Sequence, residues 1–436
     1  MSMIKKAPDR PTVAVVGGGA AGLMAAIRAA ENGANVVLLE PNDRLGRKLR
    51  ITGKGRCNLT NDCDRDEFLS NVPTNPRFLY AALAAMDPAE TKRFFESLGV
   101  PLKTERGKRV FPVSDRADDI ADALVRRCRE FGVTVRHARA TEIRMQNGRA
   151  VGVMTAEGEL SADAVIVCTG GRSYPKTGSD GDGYRMAREV GHTVTEIRPS
   201  LVPLVEDGRL CAELQGLSLR NVSLRAVDLQ NGKTVYEDFG ELLFTHFGLS
   251  GPMALSASAH LSGIVSRRFE IRIDLKPALD PQKLDARLLS DFAKYANRDF
   301  ANALGDLLPQ KMIEPFVRLS GIDPRKKVHS VTKEERTRLI ELFKCFRIPL
   351  SGLRPIDEAI VTRGGVDVRE IDPKSMQSRI VGGLYFAGEI LDVDAYTGGF
   401  NLQIAFSTAS LAGSYAAKNA ITAPLVEPFS GKETKL

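Results

Sequence analysis

The chain contains no tryptophan, and only 6% of its 436 residues are aromatic. That argues against a platform that reads single-stranded nucleic acid by stacking on successive bases. Six cysteines (Cys57, Cys63, Cys128, Cys168, Cys211 and Cys345) are scattered without Cys-x-x-Cys spacing. A zinc site and a disulfide framework are both disfavoured, and a reducing cytoplasm fits best. The five histidines are equally dispersed, with no paired ligand spacing, so no metal is expected. No uninterrupted apolar run approaches the length of a membrane span; the longest, Val13 to Ile27, is glycine-rich and runs into Arg28 and Glu31. The opening residues carry Lys5, Lys6 and Arg10 without an apolar stretch, which reads as a lead-in and not as a secretory signal. Repeats and low-complexity segments are missing too.

What remains is an ordinary globular composition, 43% hydrophobic and 26% charged, in a chain long enough for two or three domains. The excess of 61 basic over 54 acidic residues is mild. Its distribution says more. Arg44, Arg47, Lys48, Arg50, Lys54 and Arg56 crowd one segment, and smaller groups occur at Arg106, Lys108 and Arg109 and at Arg325, Lys326 and Lys327. Two readings stay open: a solvated face with contacts to cofactor phosphates, or a surface for an anionic polymer.

The most specific motif is Thr12-Val-Ala-Val-Val-Gly-Gly-Gly-Ala-Ala-Gly22, followed by the apolar run Asn35-Val-Val-Leu-Leu-Glu40. A strand, a glycine turn, a helix and a second strand closed by a carboxylate form the order of a dinucleotide-binding βαβ unit. Gly17 permits the tight turn, Gly19 lets the backbone approach a pyrophosphate, and Gly22 brings the helix against the sheet. The helix starting at Ala20 and Ala21 directs its positive N-terminus at the phosphates. Glu40 stands where a carboxylate accepts hydrogen bonds from a ribose diol.

Beyond this unit, residues 43–61 form a loop too long for an ordinary connection. Asp87-Pro88-Ala89-Glu90 starts a helix, and another spans Asp115 to Phe131. Strands at Val133 to Met145 and Arg149 to Ala156 meet through the hairpin signal Asn147-Gly148. Asp163-Ala-Val-Ile-Val-Cys-Thr169-Gly170-Gly171 reads as a buried strand ending in a glycine turn, and a helix follows before Gly191. From Thr193 to about Leu275 short alternating runs, Leu219 to Leu229 and Lys233 to Phe239 among them, indicate an antiparallel β region. Residues 281–346 look helical, with amphipathic stretches at Leu284 to Tyr295 and Lys333 to Phe343. Strand character returns at Arg379 to Glu389, and the glycine loop ending in Gly399-Phe400 leads into a helix from Leu402 to Ala417. The reading is an α/β chain with a discontinuous dinucleotide domain at 11–192 and 350–420, a β-rich insertion at 193–278 and a helical insertion at 279–349.

Three separated segments resemble one cofactor site: the first βαβ unit, the Thr169-Gly170-Gly171 strand end, and Gly388-Glu389 with Asp392. A plain NAD dehydrogenase needs only the first, whereas glutathione-reductase-like flavoproteins use all three. The segment Gly46-Arg47-Lys48-Leu-Arg-Ile-Thr52-Gly53-Lys-Gly55-Arg56-Cys57-Asn-Leu-Thr-Asn61 resembles the signature loop of the BaiN/RdsA (YhiN-like) flavoproteins. So do Thr245-His246-Phe-Gly-Leu-Ser-Gly-Pro252, Thr362-Arg-Gly-Gly-Val366 and Gly388-Glu-Ile-Leu-Asp392 through Gly398-Gly399-Phe400-Asn401-Leu-Gln403.

The resemblance implies a split, Rossmann-like (glutathione-reductase-type) FAD domain with an inserted β-barrel-like domain and a small helical domain. It implies that Gly388, Glu389 and Asp392 reach the ribityl and pyrophosphate region, and that the helix opening at Gly399, Phe400 and Asn401 faces the isoalloxazine ring. Thr52, Gly53 and Gly55 expose backbone N–H groups that could hold negative charge, and with Arg47, Lys48 and Arg56 they complete the expected cofactor contacts. No second GxGxxG unit exists for a nicotinamide, so NAD(P)H is expected as a transient reductant at the flavin face.

Cys57, between Arg56 and Asn58, is a candidate proton donor if positive charge lowers its pKa; the alternative is a small cysteine that only packs. His246 could orient substrate or be structural. The function implied is FAD-dependent hydride transfer from NAD(P)H through flavin N5 to an unsaturated substrate. A uracil base of 23S ribosomal RNA, reduced to dihydrouridine, stands first because of the basic clusters. The alternatives are a steroid-type enone, an aminoacetone-like amine oxidised with O₂, and a non-catalytic flavin-bound RNA-associated protein.

Overall fold

The computed structural model describes residues 10–261, 263–264 and 267–422. The expected lead-in, residues 1–10, lies outside the described residues except for Arg10. The described residues form two compact units: one built from residues 10–197 and 362–422, the other from Arg198–Val361.

The first unit is organised by a five-stranded sheet in the order Leu384–Phe386, Ala164–Val167, Thr12–Val16, Asn35–Leu39, Thr134–Arg136. All its pairings are parallel, with Val13 opposite Ala164 and Thr12 opposite Asn35. The central strands are almost unbroken Val, Ile and Leu because both their faces are covered. On one face the helix Ala20–Glu31 packs against the long helix Phe400–Thr422. Asp87 caps the helix Pro88–Ser97, its carboxylate accepting from the Glu90 N–H at 2.7 Å.

One expected strand is divided. Residues 133–145 do not run continuously: Thr134–Arg136 joins the parallel sheet, and Ala140–Gln146 turns off to pair with Arg149–Thr155 in a separate antiparallel sheet. The hairpin turn itself has Asn147 at φ 50° and Gly148 at φ 74°, the left-handed pair such a two-residue turn requires.

The second unit contains a closed barrel of six strands, Leu204–Glu206, Gly248–Ser250, Lys233–Phe244, Ser218–Asp228, Phe269–Asp274 and Phe346–Leu353. Its last strand lies beyond the helices Pro281–Lys294, Gln310–Ser320 and Lys333–Lys344 in the chain. Barrel residues Leu224, Ile271 and Ile348 share a single hydrophobic cluster with Leu284, Phe316, Leu339 and Phe343 of those helices. The core therefore runs across residue 278, where composition alone places a boundary. Closure of the barrel depends on a strand that the helices precede.

Candidate cofactor site

The glycine turn shows why each glycine is there. Gly17 has φ 102°, and a Cβ on it would lie 2.6 Å from the Cys168 carbonyl oxygen. A Cβ on Gly22 would lie 1.7 Å from the Gly17 carbonyl oxygen, so the helix can lie this close only at glycine. Gly19 is different: nothing of the protein lies within 4 Å of a Cβ placed there. Gly19 is also the N-cap of the helix Ala20–Glu31, and no side chain caps that end. The first helical N–H groups, from Ala20 and Ala21 onward, face that open space with the positive end of the helix dipole.

Glu40, buried at the end of its strand, accepts from the Gly18 N–H at 2.8 Å and from the Asn42 N–H at 2.9 Å. Its carboxylate is thereby fixed beside the turn, with lone pairs left for a diol. Asn42 in turn accepts from the Arg47 guanidinium, which places that cation at the turn's edge.

Four remote segments meet at Glu389. One carboxylate oxygen accepts from Lys48 Nζ at 2.7 Å, and the other accepts from the Thr362 N–H at 2.8 Å and the Ser173 hydroxyl at 3.1 Å. Lys48 also donates to Ser173 Oγ at 2.7 Å. The Thr362 hydroxyl oxygen accepts from the backbone N–H groups of Arg172, at 2.7 Å, and Ser173, at 3.1 Å. A side chain at Gly171 would collide with Thr362 Oγ1, and one at Gly388 would press on Ala21. The strand ends carrying Thr169, Gly170, Gly171, Gly388 and Glu389 are thus gathered with Lys48 into one polar cluster. Asp392, three residues on, is half-buried, and desolvation raises its carboxyl pKa against a hydrogen bond from Thr195.

The arginine-rich segment is not a simple loop. It is helical over Arg47–Gly55, broken at Thr52, Gly53 and Lys54, and Gly53, Lys54, Gly55 and Cys57 all have positive φ. Gly53 and Gly55 are exposed at this turn. The Cys57 N–H donates to the Thr52 carbonyl at 3.0 Å.

Cys57 corrects the expected electrostatics. Its thiol is fully buried, and burial pushes it up to about 12 despite a hydrogen bond with Thr52. Arg56 does not act on it: the guanidinium holds Glu105 and Asp115 and covers the Phe111 ring at 4.2 Å. Adjacent positions in a turn point apart, so a neighbour in sequence need not be a neighbour in space.

Two expected cofactor residues have their side chains committed elsewhere. Phe400 is buried edge-on against Phe68 with ring centroids 5.2 Å apart. Asn401 holds the preceding loop, accepting from the Ala395 N–H at 3.0 Å and donating to the Ala395 carbonyl at 2.7 Å. Only their backbone and that of Gly399 remain for a ligand. His246 belongs to the barrel unit, where it is exposed and meets Phe247 edge-on at 4.9 Å.

The residues present fit a flavin dinucleotide on two observations besides the glycine cradle. Thr169 Oγ1 and Asn58 Oδ1 are buried and have no hydrogen-bond partner. Asn58 Oδ1 faces Gly399, 2.9 Å from where a Cβ on that residue would stand. Buried polar atoms are rarely left unpaired unless a ligand or water serves them. Sequence reasoning passed over Ser173, Thr362 and Asn58. Thr362 and Asn58 lie inside motifs already singled out, whereas nothing in the sequence marks Ser173.

The sequence profile of the HI0933-like protein Rossmann domain matches residues 11–415. The chain belongs to the HI0933-like family. Among its relatives, the 3-dehydro-bile acid delta(4,6)-reductase of Clostridium scindens is 31% identical over 416 residues, covering 93% of this chain and 99% of the relative. The ribosomal RNA dihydrouridine synthase of Escherichia coli is 31% identical over 403 residues, covering 92% and 96%. In fold, the HI0933-like chain is similar to the 3-ketosteroid-delta4-(5alpha)-dehydrogenase of Rhodococcus jostii RHA1, with a TM-score of 0.50 at 17% identity over 95% of this chain and 98% of that one. This family member is an enzyme of the FAD-dependent oxidoreductase class. No described helix is long and apolar enough to cross a membrane.

Proposed function

We propose that this enzyme adds two hydrogens across a carbon–carbon double bond conjugated to a carbonyl, with NAD(P)H as the transient reductant and a uracil base of 23S ribosomal RNA as the substrate. Bound FAD supplies the hydride chemistry. The chain's own residues bind and orient: Gly17, Gly19, Gly22 and Glu40 at the adenosine end, and Lys48, Ser173 and Glu389 toward the ribityl chain. The relatives named for bile-acid reduction and for dihydrouridine synthesis are both consistent with this reaction type, since a dienone and a uracil each present a polarised double bond.

The observation that favours RNA is where positive charge is left over. Arg44, Lys48, Arg50, Arg56 and Lys108 each hold a carboxylate. In these two basic segments, among the described residues, Arg47, Lys54, Arg106 and Arg109 have no ion pair, and all four are exposed. Arg106 precedes Gly107, and Arg109 follows it by two residues; the Gly107 carbonyl accepts from Asn61 Nδ2 at 3.1 Å, and the same amide donates to the Gly398 carbonyl at 3.1 Å. The segment carrying Arg106 and Arg109 is therefore tied through Asn61 to the glycine turn that opens the last helix. A phosphate backbone uses several such charges, whereas a small enone has little use for them.

The test is direct competition between substrate classes. FAD-loaded protein and NAD(P)H are supplied with unmodified 23S rRNA transcript or with a 3-keto-Δ4 steroid. A uridine gaining two hydrogens by mass spectrometry, with the steroid unchanged, supports the reading. Reduction of the steroid alone overturns it in favour of the small-molecule enone.

A further inference from the structure

Three arginines stand in register across three neighbouring strands of the barrel. Arg225 of Ser218–Asp228 pairs with Arg272 of Phe269–Asp274, and Arg272 pairs with Arg347 of Phe346–Leu353. Residues directly opposite one another on antiparallel strands project to the same face. That face is the outside of the barrel: the alternate residues Leu224, Ala226, Ile271, Ile273, Phe346 and Ile348 are fully buried inside it. Arg225 and Arg347 are exposed, and Arg272 is half-buried.

Like charges placed directly opposite on adjacent strands destabilise a sheet, and any polar residue would serve a solvated wall equally well. The surrounding carboxylates relieve the row at Arg225, opposite Glu237, and at Arg272, but not at Arg347. Glu270 accepts from Arg272 Nε at 2.8 Å, and Asp274 is taken by Lys344. Glu237 stands opposite Arg225 in register, without a close ion pair, and lies on the far side of Arg225 from Arg272. Among the described residues, neither Arg225 nor Arg347 has an ion pair. The three guanidinium groups thus span about 10 Å, the width of two strand spacings, and the row ends at Arg347 with no ion pair.

We infer that this arginine row is a docking strip for the phosphate backbone of the RNA substrate. The inference rests on the RNA reading above and extends it to the barrel wall. Charge complementarity selects the occupant: guanidinium groups match phosphate oxygens in paired N–H···O geometry, and a row of them matches a polyanion better than a single anionic group.

The probe is fluorescently labelled 23S rRNA transcript, bound to the FAD-loaded protein over a range of salt concentrations. For the Arg225→Gln/Arg347→Gln double variant, the slope of log affinity against log salt should be shallower by about two, roughly one per phosphate contact. Its melting temperature should equal or exceed that of the wild type, because a like-charge row has been relieved. A wild-type slope in the double variant overturns the docking strip while leaving the RNA substrate intact. A wild-type protein with no salt-dependent RNA affinity overturns both. Loss of binding to phosphatidylglycerol vesicles, with the RNA slope unchanged, assigns the row to a membrane surface and overturns the proposal.

Discussion

Lys48 and Glu389, 341 positions apart in the chain, form a 2.7 Å ion pair in which both side chains are 22% exposed. The pair ties the arginine-rich segment to the last glycine strand, and Ser173 bridges its two members. Lys48→Met should leave Glu389 poorly compensated and free to turn away from Ser173 and Thr362. FAD affinity, read by flavin fluorescence, should fall about 5- to 30-fold, the range for losing a charge-assisted hydrogen bond worth roughly 1–2 kcal/mol. An unchanged dissociation constant would remove Lys48 from the cofactor site.

Two glycines separated by a helical turn should respond oppositely to the same methyl group. Gly22→Ala places a Cβ against the Gly17 carbonyl and should impair folding itself. Gly19→Ala meets no protein atom, so the FAD-free protein should keep its melting temperature within a degree or two. Its FAD affinity should nevertheless fall at least tenfold, since the methyl would occupy the approach to the helix N-terminus. Normal FAD binding by Gly19→Ala would show that the turn only packs.

Cys57 should be chemically silent in the folded protein. With its thiol fully buried and pushed up to about 12, iodoacetamide at pH 8 should label it only after unfolding. A protonated thiol can still donate a proton, so Cys57→Ala remains informative. If Cys57 is the donor, substrate reduction slows while flavin reduction by NAD(P)H does not; unchanged turnover makes it a packing residue.

His192 links stability to acid. Its ring is buried between Glu370, at 2.9 Å from Nδ1, and Ser378, at 2.8 Å from Nε2. Burial lowers its pKa below the ordinary 6.5 despite the opposing effect of Glu370. The folded-state pKa is therefore depressed, so the contribution is fully present above about pH 6.5 and is lost as pH falls through the lower folded value. Melting temperature should drop between pH 7.5 and pH 5, and His192→Asn should drop less. Equal slopes for the two proteins would show that His192 is not the titrating group.

The parts of the site legible in the sequence are those where the backbone itself is the functional element. Gly17, Gly22, Gly171 and Gly388 are places where a Cβ would collide, so residue type alone reveals them. Side-chain destinations were not legible. Arg56 beside Cys57 suggested an activated thiol, yet the guanidinium left for Glu105 and Asp115. Asn401 looked like a ligand residue and serves its own loop. The barrel illustrates the same limit at larger scale. Its long hairpin, Ser218–Asp228 with Lys233–Phe244, shows as alternation, whereas the closing strand Phe346–Leu353 is fixed only by tertiary pairing with residues far earlier in the chain.

The central claim, that this enzyme saturates a uracil in ribosomal RNA, is tested most directly by mass spectrometry of 23S rRNA nucleosides from source cells with and without the gene. The account predicts that dihydrouridine is lost from the RNA of the deletion strain and restored by the wild-type gene. An identical dihydrouridine content in the two strains would contradict it.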